Sequence, residues 1–334
     1  MDRRDLLRAG ICGPAAFLSA RMLWALPDES NTDWCGWGPL QKSNQYDMRL
    51  PAGFTARVVG RSDKPPIKGN KFEWHRAPDG GACFATDDEG WIYVSNSELA
   101  RGKGGASALR FNRSGDLVDA YPILRNSTSN CAGGATPWNT WLSCEEPDRA
   151  PRRGVVWECD PYGREEAVAR PALGLFRHEA VAVDINEGIL YMTEDMGRGC
   201  LYRYIPSGRD AAGRYDLDSG ELQVGCWASE ARDTLRWEAV PDPAATSVPT
   251  REQVDAAAHF SGGEGIAWHD GKVFFTTKND NRVWRYDTTS QSIDIMYDDA
   301  HFSNPVLRGV DNVTITCTGD VLVAEDGDNM QLVA

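Results

Sequence analysis

Short apolar runs of strand length alternate with polar turns along most of the chain, and stretches with the 3.6-residue period of an amphipathic helix are rare. Five runs share one plan. Residues 91–98 (WIYVSNSE), 141–146 (WLSCEE), 189–195 (ILYMTED), 273–280 (VFFTTKND) and 321–326 (VLVAED) each start apolar and end polar or acidic. They recur at about fifty residues, except across a longer third gap. The extra length falls in the polar, Pro-rich stretch 206–258, which reads as an insertion. Each run follows another short apolar run and a turn, as in 180–184 before Asn186-Glu187-Gly188 and 266–268 before His269-Asp270-Gly271. Strands rich in aromatics and arginine come next: 108–111 (ALRF), 155–158 (VVWE), 201–204 (LYRY) and 283–286 (VWRY). Polar turns then lead to a fourth strand. Four strands per unit of this length is the arithmetic of a propeller blade. The expected fold is an all-β, six-bladed β-propeller of which five blades are visible. Either residues 54–60 (FTARVVG) close the ring or the chain is a fragment.

The regularity that carries chemistry lies inside the hairpins. Glu179 is followed fifteen residues later by Glu194, Asn130 fifteen later by Glu145, and Asp311 fourteen later by Glu325. Glu264 is followed fourteen later by Lys278 and sixteen later by Asp280. In an antiparallel hairpin the start of one strand lies beside the end of the next, about 4.8 Å away. Both polar groups then occupy the same end of the blade, and first strands line the central channel. Carboxylates crowded at one mouth repel and raise one another's pKa unless cations neutralise them. Oxygen ligands of this kind suit hard cations, calcium above all. Cys131, in Asn130-Cys131-Ala132-Gly133-Gly134, stands where other hairpins carry an acid. A thiolate among carboxylates favours a softer or redox-active ion such as iron or zinc.

Charge and composition narrow the partners. The 334 residues, 41% hydrophobic with 33 Gly and 12 Trp, suffice for an ordinary core and suit a turn-rich β fold. A net charge of −14 argues against nucleic acid or an anionic membrane as partner. Residues 1–26 place Arg3-Arg4 before a modest apolar run broken by Arg21, the pattern of a twin-arginine export signal. That run is too short for stable membrane insertion. The reading is therefore a monomer delivered by the twin-arginine export machinery to the periplasm or exterior, with residues 27–334 as one propeller domain. Nine cysteines contain no CxxC pair, which excludes a zinc ribbon or thioredoxin motif. No GxSxG elbow or P-loop is present.

The segment 130–146 (NCAGGATPWNTWLSCEE) resembles the signature of the PhoX-type alkaline phosphatase family. His178-Glu179-Ala180, 191–195 (YMTED), Gly263-Glu264-Gly265, Asp311-Asn312 and 324–327 (AEDG) follow in that family's order, and the twin-arginine leader also matches. The resemblance covers about residues 70–330 and implies a six-bladed propeller with a centre of Ca2+ and Fe3+ that hydrolyses small phosphate monoesters outside the cytoplasm. Carried over by motif, Cys131 is an iron ligand, and Glu179, Glu194, Glu264, Asp311 and Glu325 bind iron or calcium. Asn130, Glu145, Glu98 and Asp195 are further candidates. The chain is shorter than the family's phosphatases and lacks the strands expected after AEDG. Phosphate-ester hydrolysis needs neutralised phosphoryl oxygens, a positioned nucleophile and a stabilised leaving group, all of which a multi-metal cluster supplies. Lys278 is the candidate to hold a phosphoryl oxygen, with a salt bridge to a neighbouring carboxylate as its plain structural role. His178 and His269 are candidates to move protons. Two other readings use the same acidic mouth: a calcium-dependent lactonase or esterase, and a non-catalytic calcium-binding scaffold. The lactonase reading gives Cys131 no role.

Overall fold

Each apolar run pairs with its sequence neighbours, because turns of a few residues leave no room for crossovers. In the computed structural model, which describes residues 38–148, 153–327 and 330–334, this yields five antiparallel meander sheets arranged as a β-propeller. The twin-arginine segment lies outside the described residues. Blade 1 contains β1 (Pro78–Ala85), β2 (Trp91–Ser97), β3 (Gly104–Phe111) and β4 (Leu117–Ser127). Blade 2 contains β5 (Asn130–Ala135), β6 (Trp141–Glu145), β7 (Val156–Cys159) and β8 (Val168–Ala169). Blade 3 orders β9 (His178–Val183), β10 (Leu190–Glu194), β11 (Gly199–Pro206), β12 (Gly220–Trp227) and β13 (Leu235–Ala239). The short β14 (His259–Phe260) pairs with β11. Blade 4 contains β15 (Gly263–His269), β16 (Lys272–Thr277), β17 (Arg282–Asp287) and β18 (Ile293–Asp298). Blade 5 contains β19 (Val310–Ile315), β20 (Val321–Glu325) and β21 (Leu332–Val333). Five blades are thus formed among the described residues.

The first strands pack side by side in the order β1, β5, β9, β15, β19 and form the hub. Small residues allow that approach. A Cβ on Gly134 would lie 2.0 Å from the carbonyl oxygen of Val181 in the next blade. Between blades, apolar faces bury one another. Phe260 meets Phe275 and Trp284 edge-on at ring-centroid distances of 5.0 and 5.2 Å, and buried Tyr286 accepts a hydrogen bond from Trp237 Nε1 at 2.9 Å. No helix among the described residues is long and apolar enough to cross a membrane.

Candidate metal centre

One local distortion, repeated in every blade, builds the site. Three residues of the first strand span two of the second: Pro78/Gly81 against Ser97/Ser95, Asn130/Gly133 against Glu145/Ser143, and His178/Val181 against Glu194/Met192. The same shift recurs at Gly263/Ile266 against Thr277/Phe275 and at Val310/Val313 against Glu325/Val323. Such a β-bulge leaves one residue unpaired and re-aims its side chain. The residue that follows the last pair before each bulge is Asp79, Cys131, Glu179, Glu264 or Asp311. These five form an inner ring on five adjacent strands.

A second ring comes from the residue just past each second strand: Glu98, Glu146, Asp195, Lys278 and Asp326. Their backbone N–H groups donate to the carbonyls of Ala77, Ser129, Arg177, Gly262 and Gly309, the same hydrogen bond five times. The inner-ring backbone is held across blade junctions as well. Asn96 Nδ2 donates to the carbonyl of Cys131 at 3.0 Å, Thr193 Oγ1 to that of Glu264 at 2.5 Å, and Thr276 Oγ1 to that of Asp311.

Potential ligand atoms converge in three groups, each with its atoms within 4.8 Å of one another: Asp79, Glu98 and Cys131; Cys131, Glu146 and Glu179; Glu179, Glu264 and Asp311. Shared members link the three into one chain of donors. Glu179 is only 1% exposed, and neither of its oxygens has a hydrogen-bond donor. A carboxylate left so is expensive unless protonated or bound to a cation. Burial, followed by the charges of Glu264, Glu146 and Asp311, raises its pKa far above the carboxylate range. Burial pushes Glu264 up to about 9, with Asp195 adding to the shift, and Asp311 up to about 6, with Asp79 and Asp326 adding. Burial and the neighbouring Glu179, Glu146, Asp79 and Glu98 raise the Cys131 thiol. Glu146 rises to about 8 through burial and through its hydrogen bond with Asp195. Asp195 goes down despite burial, through its hydrogen bonds with Glu146 and Lys278 and the charges of Lys278 and Arg177. Mutual repulsion of this kind disappears when cations enter. The donor set of hard oxygens with one sulfur suits calcium together with an ion that tolerates thiolate, such as iron.

Two cations already lie among these acids. Lys278 Nζ is 2.6 Å from Asp195 Oδ2 and 2.6 Å from Glu264 Oε1, which keeps it charged although burial opposes this. Arg177 pairs through Nη2 with Glu146, with Asp148 at 3.3 Å and with Asp195 at 3.3 Å.

Of the residues singled out in the sequence, Cys131, Glu179, Glu264, Asp311, Glu98, Asp195 and Lys278 meet at this hub. The others do not. Glu145 accepts from Ser127 Oγ at 2.6 Å, Trp157 Nε1 at 3.0 Å and the Val155 amide at 3.2 Å. Glu194 accepts from Arg251 at 2.9 Å, Tyr202 at 3.0 Å and the Cys200 amide at 3.2 Å. Glu325 accepts from the amides of Arg308 and Gln331. All three stand one residue before the outer ring. Strand side chains alternate faces, so one step turns a carboxylate from the hub cluster into its own blade. Asn130 donates to Ser143 Oγ at 3.0 Å, and its Oδ1 points toward Gly104. His178 is buried, stacks on Phe176 at 3.6 Å and bonds the Gly174 carbonyl through Nε2 at 2.9 Å. Burial lowers its pKa to about 4, so it packs as a neutral ring inside blade 3.

Asp79, Glu146, Arg177 and Asp326 are the hub residues that sequence reasoning missed. Asp79 escaped because β1 and β2 are each two residues longer than β5 and β6. Its partner Glu98 therefore comes nineteen residues later instead of about fifteen. The register can be checked directly. Glu145→Gln places an amide N–H₂ opposite the Val155 N–H, and the expected cost is about 1–3 kcal/mol of stability in denaturant titration with metal content unchanged.

Comparison with known proteins agrees with this architecture. No curated protein matches the sequence. Among solved structures, Pseudomonas fluorescens PhoX in complex with vanadate, a transition state analogue, superposes with a TM-score of 0.59 and 17% identity over 75% of this chain and 74% of that one. A Bacteroides thetaiotaomicron protein of unknown function gives 0.45 and 8% identity, covering 75% and 52%. The PQQ-bound aldose sugar dehydrogenase of Streptomyces coelicolor gives 0.44 and 12%, covering 77% and 78%. The family described as alkaline phosphatase PhoX matches residues 88–333, most of the chain and four of the five inner-ring positions. On that match, the chain belongs to the PhoX alkaline phosphatase family.

Proposed function

We propose that the protein is a metal-dependent phosphomonoesterase working outside the cytoplasm, with calcium and iron held at the propeller hub. The observation that carries this reading is the inner ring of Asp79, Cys131, Glu179, Glu264 and Asp311, with both oxygens of Glu179 buried and lacking a donor. Asp79, Glu98, Asp311 and Asp326 supply oxygen donors for calcium, and Cys131 with Glu146 and Glu179 would hold iron. Bound metals supply charge neutralisation of the phosphoryl group and activation of the attacking oxygen. The chain's own residues do the rest. Lys278 offers a positive charge beside Asp195 and Glu264 as the partner of a phosphoryl oxygen. Bulges and cross-blade hydrogen bonds fix the ring before substrate arrives, so little reorganisation is needed during reaction. Family membership and the vanadate-bound relative support a phosphate ester as substrate. Arg3-Arg4 supports export.

Cys131→Ala is the direct test. Protein folded with iron and calcium is compared with the variant by elemental analysis and by p-nitrophenyl phosphate hydrolysis. The variant is expected to lose iron and at least about 100-fold in rate, keeping part of its calcium. Full activity with iron retained ends the proposed role of the thiol.

A further inference from the structure

The five-fold regularity of the hub makes its exceptions informative. The carbonyl of the residue just before each bulged pair accepts the backbone N–H of the outer-ring residue. In four blades it is small and left-handed: Ala77 (φ 45°), Ser129 (φ 48°), Gly262 (φ 73°) and Gly309 (φ 71°). In blade 3 it is Arg177, whose φ is not positive. At the outer ring four positions are acidic and the exception is Lys278, in blade 4. The two departures therefore fall in adjacent blades, both place a cation where the repeat has none, and both contact one atom. Arg177 Nη2 lies 3.3 Å and Lys278 Nζ 2.6 Å from Asp195 Oδ2.

We propose that Arg177 and Lys278 form a two-cation clamp for the phosphoryl group, with Arg177 a substrate-binding residue. The idea rests on the phosphatase reading of the same site. Three features beyond the repeat support it. All three ion pairs of Arg177 use Nη2, and its buried Nε meets no acceptor, so the protein does not fill the hydrogen-bonding capacity of this guanidinium. A planar guanidinium meets phosphate oxygens two at a time, which an ammonium cannot do. Both side chains are reachable, 21% and 43% exposed. The rest of the hub, at Asp79, Glu98, Cys131, Asp311 and Asp326, carries no cation of its own. The ring is thus divided into an anionic arc that attracts metals and a cationic corner that attracts the substrate's charge.

Arg177→Ala and Arg177→Lys test this in protein loaded with calcium and iron. Metal content is measured by elemental analysis, inorganic phosphate binding by calorimetry, and p-nitrophenyl phosphate kinetics in parallel. Arg177→Ala is expected to keep wild-type metal content, to bind phosphate at least tenfold more weakly and to raise KM by a similar factor. Arg177→Lys is expected to recover part of the phosphate affinity. Phosphate affinity within twofold of wild type overturns the clamp, and so does loss of metals from both variants, which makes Arg177 a scaffold for Glu146 and Asp195. If wild type binds phosphate but hydrolyses no ester, the phosphatase reading fails alone, and the binding data still judge Arg177.

Discussion

Glu179→Gln is expected to reduce p-nitrophenyl phosphate hydrolysis by about 10³-fold while raising the melting temperature of the metal-free protein at pH 8. The two effects have one cause. Glu179 is shared by two of the three ligand groups at the hub, so losing its charge weakens binding of more than one cation. Metal stabilisation of phosphoryl charge is worth several kcal/mol, and each 1.36 kcal/mol is tenfold in rate. Without metal, the same carboxyl is a burden. It is 1% exposed and lacks donors, so ionising it near Glu264, Glu146 and Asp311 costs stability. A glutamine of the same shape carries no charge, and its N–H₂ can donate to those acids. Function bought at the expense of stability is the usual sign of an active site. Normal activity in the variant, or a lower melting temperature for its metal-free form, removes Glu179 from the centre of the site.

The fold was legible because a propeller repeats its pattern. Apolar runs ending in acids, at about fifty residues, specify hairpins whose polar ends gather on one side, and Glu179, Glu264 and Asp311 followed from that alone. Cys131 was legible by its position in the repeat, as a sulfur where the others have a carboxylate. What could not be read was the bulge. One extra residue in each first strand shifts the register, and no residue type in the sequence announces it: the bulged segments contain Gly, Ala and Val alike. Without the bulge, the paired carboxylates Glu145, Glu194 and Glu325 were the natural choice. With it, the hub belongs to their immediate neighbours Glu146, Asp195 and Asp326. Arg177 stayed hidden for another reason. Its importance lies in departing from Ala77, Ser129, Gly262 and Gly309, a comparison that needs the blades to be superposed first.

The metal-free protein is expected to lose stability as pH rises from 7 to 9, with a melting temperature lower by about 10 °C, and saturating calcium and iron should abolish the trend. Unfolded, glutamate titrates near 4.3. Folded, Glu146 titrates at about 8 and Glu264 at about 9, and burial with the charges of Glu264, Glu146 and Asp311 raises Glu179 well above the carboxylate range. Between pH 7 and 9 the native state therefore holds protons that the unfolded state has released. With more protons bound in the native state, the free energy of unfolding falls as pH rises. The buried histidines act the other way but only at lower pH. His75 and His178 are lowered to about 4, and their unfolded forms lose the proton by about pH 6.5. Their stabilising trend is largely complete below the window, and the hub acids set the slope together with the buried thiols of Cys131, Cys144, Cys159 and Cys200, which burial raises and which act in the same direction as unfolded cysteine ionises near about 8.5. At 1.36 kcal/mol per pKa unit, these acids together account for several kcal/mol, and each kcal/mol shifts the melting temperature of a domain of this size by about 2–4 °C. Cations abolish the slope because they favour the ionised carboxylates and compete with protons for the same oxygens. A melting temperature that stays level or rises from pH 7 to 9 in chelated protein would mean that these acids do not share one low-dielectric space, and the cluster would lose its physical reason to bind metal.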